Sequence, residues 1–247
     1  GHRLESFAVD GTARFANGVE VHGEALIGAD GIHSVVRRHF YPDEGEPAFS
    51  GKILWRAVTE TAPFLTGRSM IMAGHARQKF VAYPISPEAM SRGRSLVNWI
   101  AELHLGGAAA PRRDWNRRVS KEVFADAFAN WKFDWLDVPA LIGGASEVFE
   151  FPMVDRDPVP RWSFEKVTLV GDAAHPMYPV GSNGASQAIL DAWALSEAIA
   201  ASDDIPTALR FYDAQRLAPT AAIVHSNRKQ GPEAVMQIVE ERAPNGF

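Results

Sequence analysis

Val167-Thr168-Leu169-Val170-Gly171-Asp172-Ala173-Ala174-His175-Pro176-Met177-Tyr178-Pro179-Val180-Gly181-Ser182-Asn183-Gly184-Ala185, continued by Ser186-Gln187-Ala188-Ile189-Leu190-Asp191-Ala192, is the stretch that decides the reading of this chain. The β-branched run at residues 167–170 predicts a strand running straight into Gly171-Asp172. A loop punctuated by Pro and Gly follows, and a helix opens near Asn183-Gly184. Strand, acidic turn, glycine loop and helix start together suit a phosphorylated, hydroxyl-rich ligand. The Asp carboxylate accepts hydrogen bonds from sugar-type hydroxyls. The glycines let the backbone come close, and the helix start offers unpaired N–H groups with partial positive charge.

A second motif lies more than a hundred residues upstream: Leu26-Ile27-Gly28-Ala29-Asp30-Gly31-Ile32-His33-Ser34, followed by Val35, Val36 and Arg37. With both motifs quoted, the chain resembles the single-component FAD-dependent aromatic hydroxylases, similar to salicylate and para-hydroxybenzoate hydroxylases. The segment from Met177 to Ala188 most resembles the phenazine-modifying branch. Two long motifs in the right order are far more specific than a lone Gly-x-Gly-x-x-Gly.

The resemblance implies α/β plus α+β architecture. It comprises a Rossmann-like FAD/NAD(P)-binding domain of the glutathione-reductase type and an inserted antiparallel-sheet substrate domain. It covers essentially the whole chain, yet no Gly-x-Gly-x-x-Gly opens the sequence, where the family carries its pyrophosphate-binding βαβ unit. The expectation is therefore an N-terminally truncated cofactor domain, and weak or absent FAD retention by this chain alone. Residues 1–47 and 154–247 read as the partial FAD-binding domain with its C-terminal helices. Residues 48–153 read as the substrate-binding sheet domain.

Composition fits a soluble globular protein: 46% hydrophobic and 22% charged residues can bury a sizeable core. A net charge of −5 argues against nucleic-acid and membrane-surface partners. Arg112-Arg113 and Arg117-Arg118 form the densest basic patch and read as a solvated loop and helix start. Zero cysteines exclude disulfides, thiolate metal sites and cysteine nucleophiles, and are compatible with the cytoplasm expected here. No apolar run is long enough for a membrane span. A homodimer is compatible with the sequence, which does not decide oligomeric state.

Short strands are expected at residues 3–9, 13–15 and 19–21, with turns at Asp10-Gly11 and Asn17-Gly18. A buried strand at 25–27 ends at the Asp-Gly motif, and Ser34 or His33 starts a helix through Phe40. Residues 52–60, 69–73, 79–85, 94–102 and 147–153 alternate as strands of an antiparallel sheet. A helix is expected over 120–130, with Ser120 as N-cap and Val123, Phe124 and Phe128 on one face. Helices over 183–200, 205–225 and 232–241 close the chain.

The candidate site residues follow. Asp172, after Gly171, would accept ribityl or ribose hydroxyls of FAD; its plainer reading is a turn cap. Pro179, Gly181, Ser182, Asn183, Gly184 and Ala185 would present the helix end to the flavin's pyrimidine edge. A tight turn with an Asn cap is the same geometry without ligand. Ala29, Asp30 and Gly31 divide evenly between structural support and cofactor contact, with Arg37 on the helix beyond. His175 reads as shaping its loop and His33 as a helix cap rather than as acid–base groups. For substrate, alternation places Trp55 and Arg56 on opposite faces of their strand, so at most one of them faces a ring site. Trp55 reads as core. Arg56 suits a substrate carboxylate or a surface salt bridge. Tyr83, Pro84 and Asn98-Trp99 are further candidates on the sheet, and Met177 and Tyr178 on the loop beside the expected flavin.

No metal or nucleophile motif stands out, so the cofactor carries the hard step. The resemblance implies that NADH or NADPH reduces FAD and that a flavin hydroperoxide hydroxylates a small aromatic substrate (phenolic, carboxylated or phenazine-like). Two alternatives stay open: a related FAD epoxidase or reductase, and a non-catalytic fragment unable to retain FAD.

Overall fold

The structure, a computed structural model, describes residues 1–107 and 117–242. It divides into two compact units, Gly1–Ala48 with Val154–Ala234, and Phe49–Met153 with the segment beginning at Val235.

The first unit opens with an antiparallel meander of β1 (Leu4–Phe7), β2 (Thr12–Phe15) and β3 (Glu20–His22). Its turns fall at the expected places. Asp10 Oδ1 accepts Thr12 N–H at 2.9 Å and Asn17 Oδ1 accepts Val19 N–H at 3.1 Å. β4 (Leu26–Gly28) leads to α1 (Val35–Phe40), whose N-cap is Ser34, not His33: Ser34 Oγ accepts Arg37 N–H at 2.8 Å. Ile27 was expected to be buried but is 47% exposed; among the described residues β4 pairs with one strand only.

The second unit begins with β5 (Ala48–Thr61), β6 (Ile71–His75), β7 (Gln78–Pro84), α2 (Pro87–Ser91) and β8 (Ser95–His104). β9 (Arg117–Val119), β10 (Lys132–Phe133), β11 (Leu136–Asp137), α3 (Val138–Gly144) and β12 (Val148–Asp155) follow. Six strands form one sheet in the order β6-β7-β8-β5-β12-β9, with β6–β7, β7–β8, β5–β8 and β9–β12 antiparallel.

The helix expected over 120–130 is instead two 3-10 turns, Lys121–Val123 and Ala125–Phe128. Phe124 leaves helical geometry at φ −139° and stacks on Trp55 with ring centroids 4.6 Å apart. Burial of Phe124 and Phe128 under the sheet overrides local helix propensity, while Val123 points outward. Arg117 and Arg118 lie on a strand rather than a helix start. They pair with Glu150 at 2.7 Å and Glu147 at 2.6 Å. Arg112 and Arg113 lie outside the described residues.

The chain returns to the first unit through β13 (Val167–Leu169), which pairs parallel with β4, Val167 opposite Leu26 and Leu169 opposite Gly28. A Cβ on Gly28 would lie 2.9 Å from both Leu169 Cδ2 and Val36 Cβ, so only glycine lets helix and strands close here. α4 (Gly184–Ala200) and α5 (Ile205–Arg228) follow and pack on a core that includes Leu169, Leu195, Leu209 and Tyr212. α6 (Val235–Arg242) was expected with these helices but groups with the sheet unit. It packs on β6, with His75 Nδ1 3.5 Å from Glu240 Oε1. Among the described residues, no helix is long and apolar enough to cross a membrane.

Candidate functional site

β13 delivers the chain to Gly171, whose φ of +57° turns it sharply into a 3-10 turn over Gly171–Ala173. Asp172 is carried outward by that turn. A Cβ on Gly184, the first residue of α4, would lie 4.0 Å from Asp172 Oδ1, so the carboxylate stands beside the helix N-terminus. Asp172 reaches solvent, and among the described residues no protein donor bonds its carboxylate. The surrounding loop strips hydration and raises its pKa above the ordinary carboxylate value, with nearby His175 opposing. Its expected alternative role as a turn cap is not seen: the turn has no side-chain cap.

The helix end opposite it is open. No side chain caps α4, and Asn183 is itself in helical geometry, so the expected Asn cap does not form. The N–H groups of Gly184, Ala185 and Ser186 lie in the first turn and have no intrahelical acceptor. Gly181 at φ +70° and Ser182 at φ +55° set the approach to the helix in two successive left-handed residues. At Gly181 a Cβ would lie 2.7 Å from Pro232 Cγ, so glycine is required there. Pro179 is exposed, Met177 and Tyr178 are half-buried, and Asn227 Nδ2 donates to Tyr178 O at 3.0 Å to hold the loop. Burial raises the Tyr178 hydroxyl pKa, with Asp155 adding to the effect.

Three groups brace this loop from behind. Buried Asp191 on α4 accepts Gly171 N–H at 2.9 Å and Arg216 Nε at 2.9 Å, and bonds His175 Nε2. Loss of hydration alone would raise the Asp191 pKa, but these hydrogen bonds outweigh it and hold the carboxyl below its ordinary value. His175 therefore shapes the loop. Buried Arg37 donates to Ala174 O at 2.6 Å and Asp157 O at 2.8 Å and pairs with Glu44, tying α1 to the loop. Asp30 accepts Ser34 Oγ at 2.5 Å and Val35 N–H at 2.7 Å, so its carboxylate caps α1, beside Ala29 and a left-handed Gly31 at φ +76°.

In the sheet unit, Trp55 and Trp99 are core. Trp55 Nε1 bonds Glu150 at 3.0 Å and Trp99 Nε1 bonds Thr59 Oγ1 at 3.0 Å. Arg56 and Tyr83 share the other face, with Arg56 exposed above the Phe151 ring at 5.8 Å. Met177 and Tyr178 belong to the first unit, Arg56 and Tyr83 to the second. Sequence reasoning assigned no role to Asp191 or Arg216. The available signal was a charge set inside the apolar helical run from Ala188 to Leu195. Among the described residues no cluster of three or more histidine and acidic side chains is placed to hold a metal ion.

The arrangement fits a flavin dinucleotide: an unbonded carboxylate for hydroxyls, an open helix end for negative charge, and glycine where a side chain would crowd them. The chain matches the family model described as the FAD binding domain over residues 6–227. It is 45% identical over 212 residues to phenazine 1,6-dicarboxylic acid hydroxylase of Lysobacter antibioticus, covering 85% of this chain and 52% of that protein. It is 34% identical over 233 residues to 3-amino-4-hydroxybenzoate 2-monooxygenase of Streptomyces platensis, covering 90% of this chain and 54% of the relative. The chain thus spans about half the length of these curated relatives. A Klebsiella pneumoniae HpxO variant solved with FAD superposes with a TM-score of 0.75 at 25% identity, over 94% of this chain and 58% of that one. A family match reaching from the first meander to the end of α5 makes the assignment plain: this chain belongs to the FAD binding domain family.

Proposed function

We propose that the chain is the FAD-handling and substrate-facing portion of an FAD-dependent aromatic hydroxylase. The observation that carries this reading is the Asp172 carboxylate standing, without a protein donor, beside the uncapped N-terminus of α4. When bound, FAD reduced by NADH or NADPH supplies the activation of O₂ for insertion into an aromatic ring.

The chain's own residues bind and orient. Asp172 accepts hydrogen bonds from ribityl or ribose hydroxyls, with Gly171 setting its turn. Pro179, Gly181 and Ser182 shape the approach to the helix. The N–H groups around Asn183, Gly184 and Ala185 stabilise negative charge on the flavin's pyrimidine edge. Ala29, Asp30 and Gly31 support the same site from the α1 side, chiefly by capping that helix. Within the sheet unit, Arg56 pairs with a substrate carboxylate in a bidentate fork and Tyr83 lies along the same sheet face; within the first unit, Met177 and Tyr178 are the candidates for substrate contact. The names of the relatives, a phenazine dicarboxylate hydroxylase and an aminohydroxybenzoate monooxygenase, support a small carboxylated aromatic substrate. A cysteine-free chain fits a reducing cytoplasmic setting, and a homodimer is compatible with this reading.

Incubation of the chain with FAD, NADH or NADPH, O₂ and a panel of aromatic acids, with products read by mass spectrometry, tests the proposal. A product bearing one added oxygen supports it. NAD(P)H consumption that yields only peroxide with every acid, or an epoxidised product instead, contradicts the hydroxylase reading.

A further inference from the structure

Asn98 sits at the centre of β8 with β7 on one side and β5 on the other, paired with Tyr83 and Val58 respectively. Its side chain therefore shares a face with Tyr83 and, one pair further along, with Arg56 opposite Ile100. That is the face opposite Trp55 and Trp99. Several polar groups near Asn98 have partners. On the core side, Trp99 Nε1 has Thr59 and Trp55 Nε1 has Glu150. At the far end of Asn98's own face, Glu102 takes Lys52 at 2.8 Å and Lys79 at 2.9 Å. Among the described residues, Asn98 Nδ2 is a buried donor with no hydrogen-bond partner on this face of the sheet.

An amide in the middle of a central strand, with Leu96 and Ile100 along its own face and Val58 opposite, costs stability when its donor is unmet, on the order of 1–3 kcal/mol. Such a group is retained where something else satisfies it. Asn98 as a whole is only partly buried, and Asn χ2 is a soft torsion. Rotation about χ2 exchanges Nδ2 with Oδ1, carrying Nδ2 toward the exposed part of the residue and breaking no bond that Nδ2 makes.

We infer that Asn98 is a specificity-determining residue that donates its amide N–H to an oxygen of the aromatic substrate. The ligands it selects carry a carboxylate, phenolate or carbonyl acceptor on the ring. This rests on the hydroxylase reading above and adds to Arg56 a neutral donor that fixes where on the ring the acceptor lies.

The test compares phenazine-1,6-dicarboxylate with unsubstituted phenazine, titrated into the chain with FAD in excess, in wild type, Asn98→Leu and Ser95→Ala. Ser95 is the control: its Oγ is also buried without a partner, but it lies in step with Val97 and Trp99 on the core side. Both substitutions remove an unmet polar group and should raise the melting temperature. Only Asn98→Leu should reduce the preference for the dicarboxylate, by about tenfold. If Asn98→Leu does not fold, Asn98→Ala takes its place. An unchanged preference in the Asn98 variant, or an equal fall in Ser95→Ala, overturns the inference while leaving the hydroxylase reading standing. Failure of the wild type to bind either phenazine also overturns the inference, while the hydroxylase reading is judged separately by the product assay on the panel of aromatic acids.

Discussion

Asp191 Oδ2 accepts the backbone N–H of Gly171 at 2.9 Å, linking the third turn of α4 to the second residue after β13. One buried carboxylate thereby sets the turn that aims Asp172 and also holds His175 and Arg216. The loop beside the open helix end is braced from beneath rather than by contacts within itself.

Asp191→Asn should therefore destabilise the fold by about 3–5 kcal/mol, the cost of leaving a buried cation uncompensated. The pH dependence has a definite sign. A carboxyl held below its ordinary pKa in the folded state contributes stability that is present above the unfolded value of about 3.9 and is lost as pH falls through the folded pKa. Urea titrations between neutral and acid pH should show the wild type losing this contribution at the acid end while Asp191→Asn, already without it, declines less there.

Asp172 carries the opposite shift. Its raised pKa means that ionisation costs stability as pH rises from the unfolded value through the folded one. Asp172→Asn should thus melt slightly higher than wild type at neutral pH. It should bind FAD about tenfold more weakly, because a charged acceptor is replaced by a neutral one. Differential scanning fluorimetry and an FAD titration on the same samples measure both; equal FAD affinity contradicts the assigned role.

Gly181→Ala introduces a Cβ 2.7 Å from Pro232 Cγ at a left-handed residue. The expected cost is about 1–2 kcal/mol from backbone conformation, with more if Pro232 cannot yield. FAD affinity should fall along with stability, read by chemical denaturation and by titration.

Arg56→Gln removes an exposed guanidinium that rests over one ring. Stability should stay within about 0.5 kcal/mol of wild type. Affinity for a carboxylated aromatic should drop about tenfold, with little change for the same ring lacking the carboxylate. Isothermal titration with the two ligands checks this.

Much of this molecule is legible in its sequence where local chemistry and tertiary structure agree. Residues 167–185 read correctly because a β-branched strand, two left-handed glycines and a helix start leave few alternatives. The alternation along β5 separates Trp55 from Arg56, and the structure keeps that separation. Legibility ends where partners distant in sequence decide. The run at 120–130 has a helical pattern, yet Phe124 abandons it to stack on Trp55, almost seventy residues earlier. Ser34 rather than His33 caps α1 because Asp30 draws its hydroxyl into a local network. Asp191 and Arg216 stand on different helices, and only the packing of α4 on α5 reveals them as a pair.

Backbone hydrogen–deuterium exchange, with and without saturating FAD, locates where the cofactor meets this chain. Exchange should slow largely at Gly184, Ala185 and Ser186 and at the turn over Gly171–Ala173, and the slowing should be lost in Asp172→Ala. Unchanged exchange across the start of α4 in a sample with FAD bound is the opposite result and contradicts that placement.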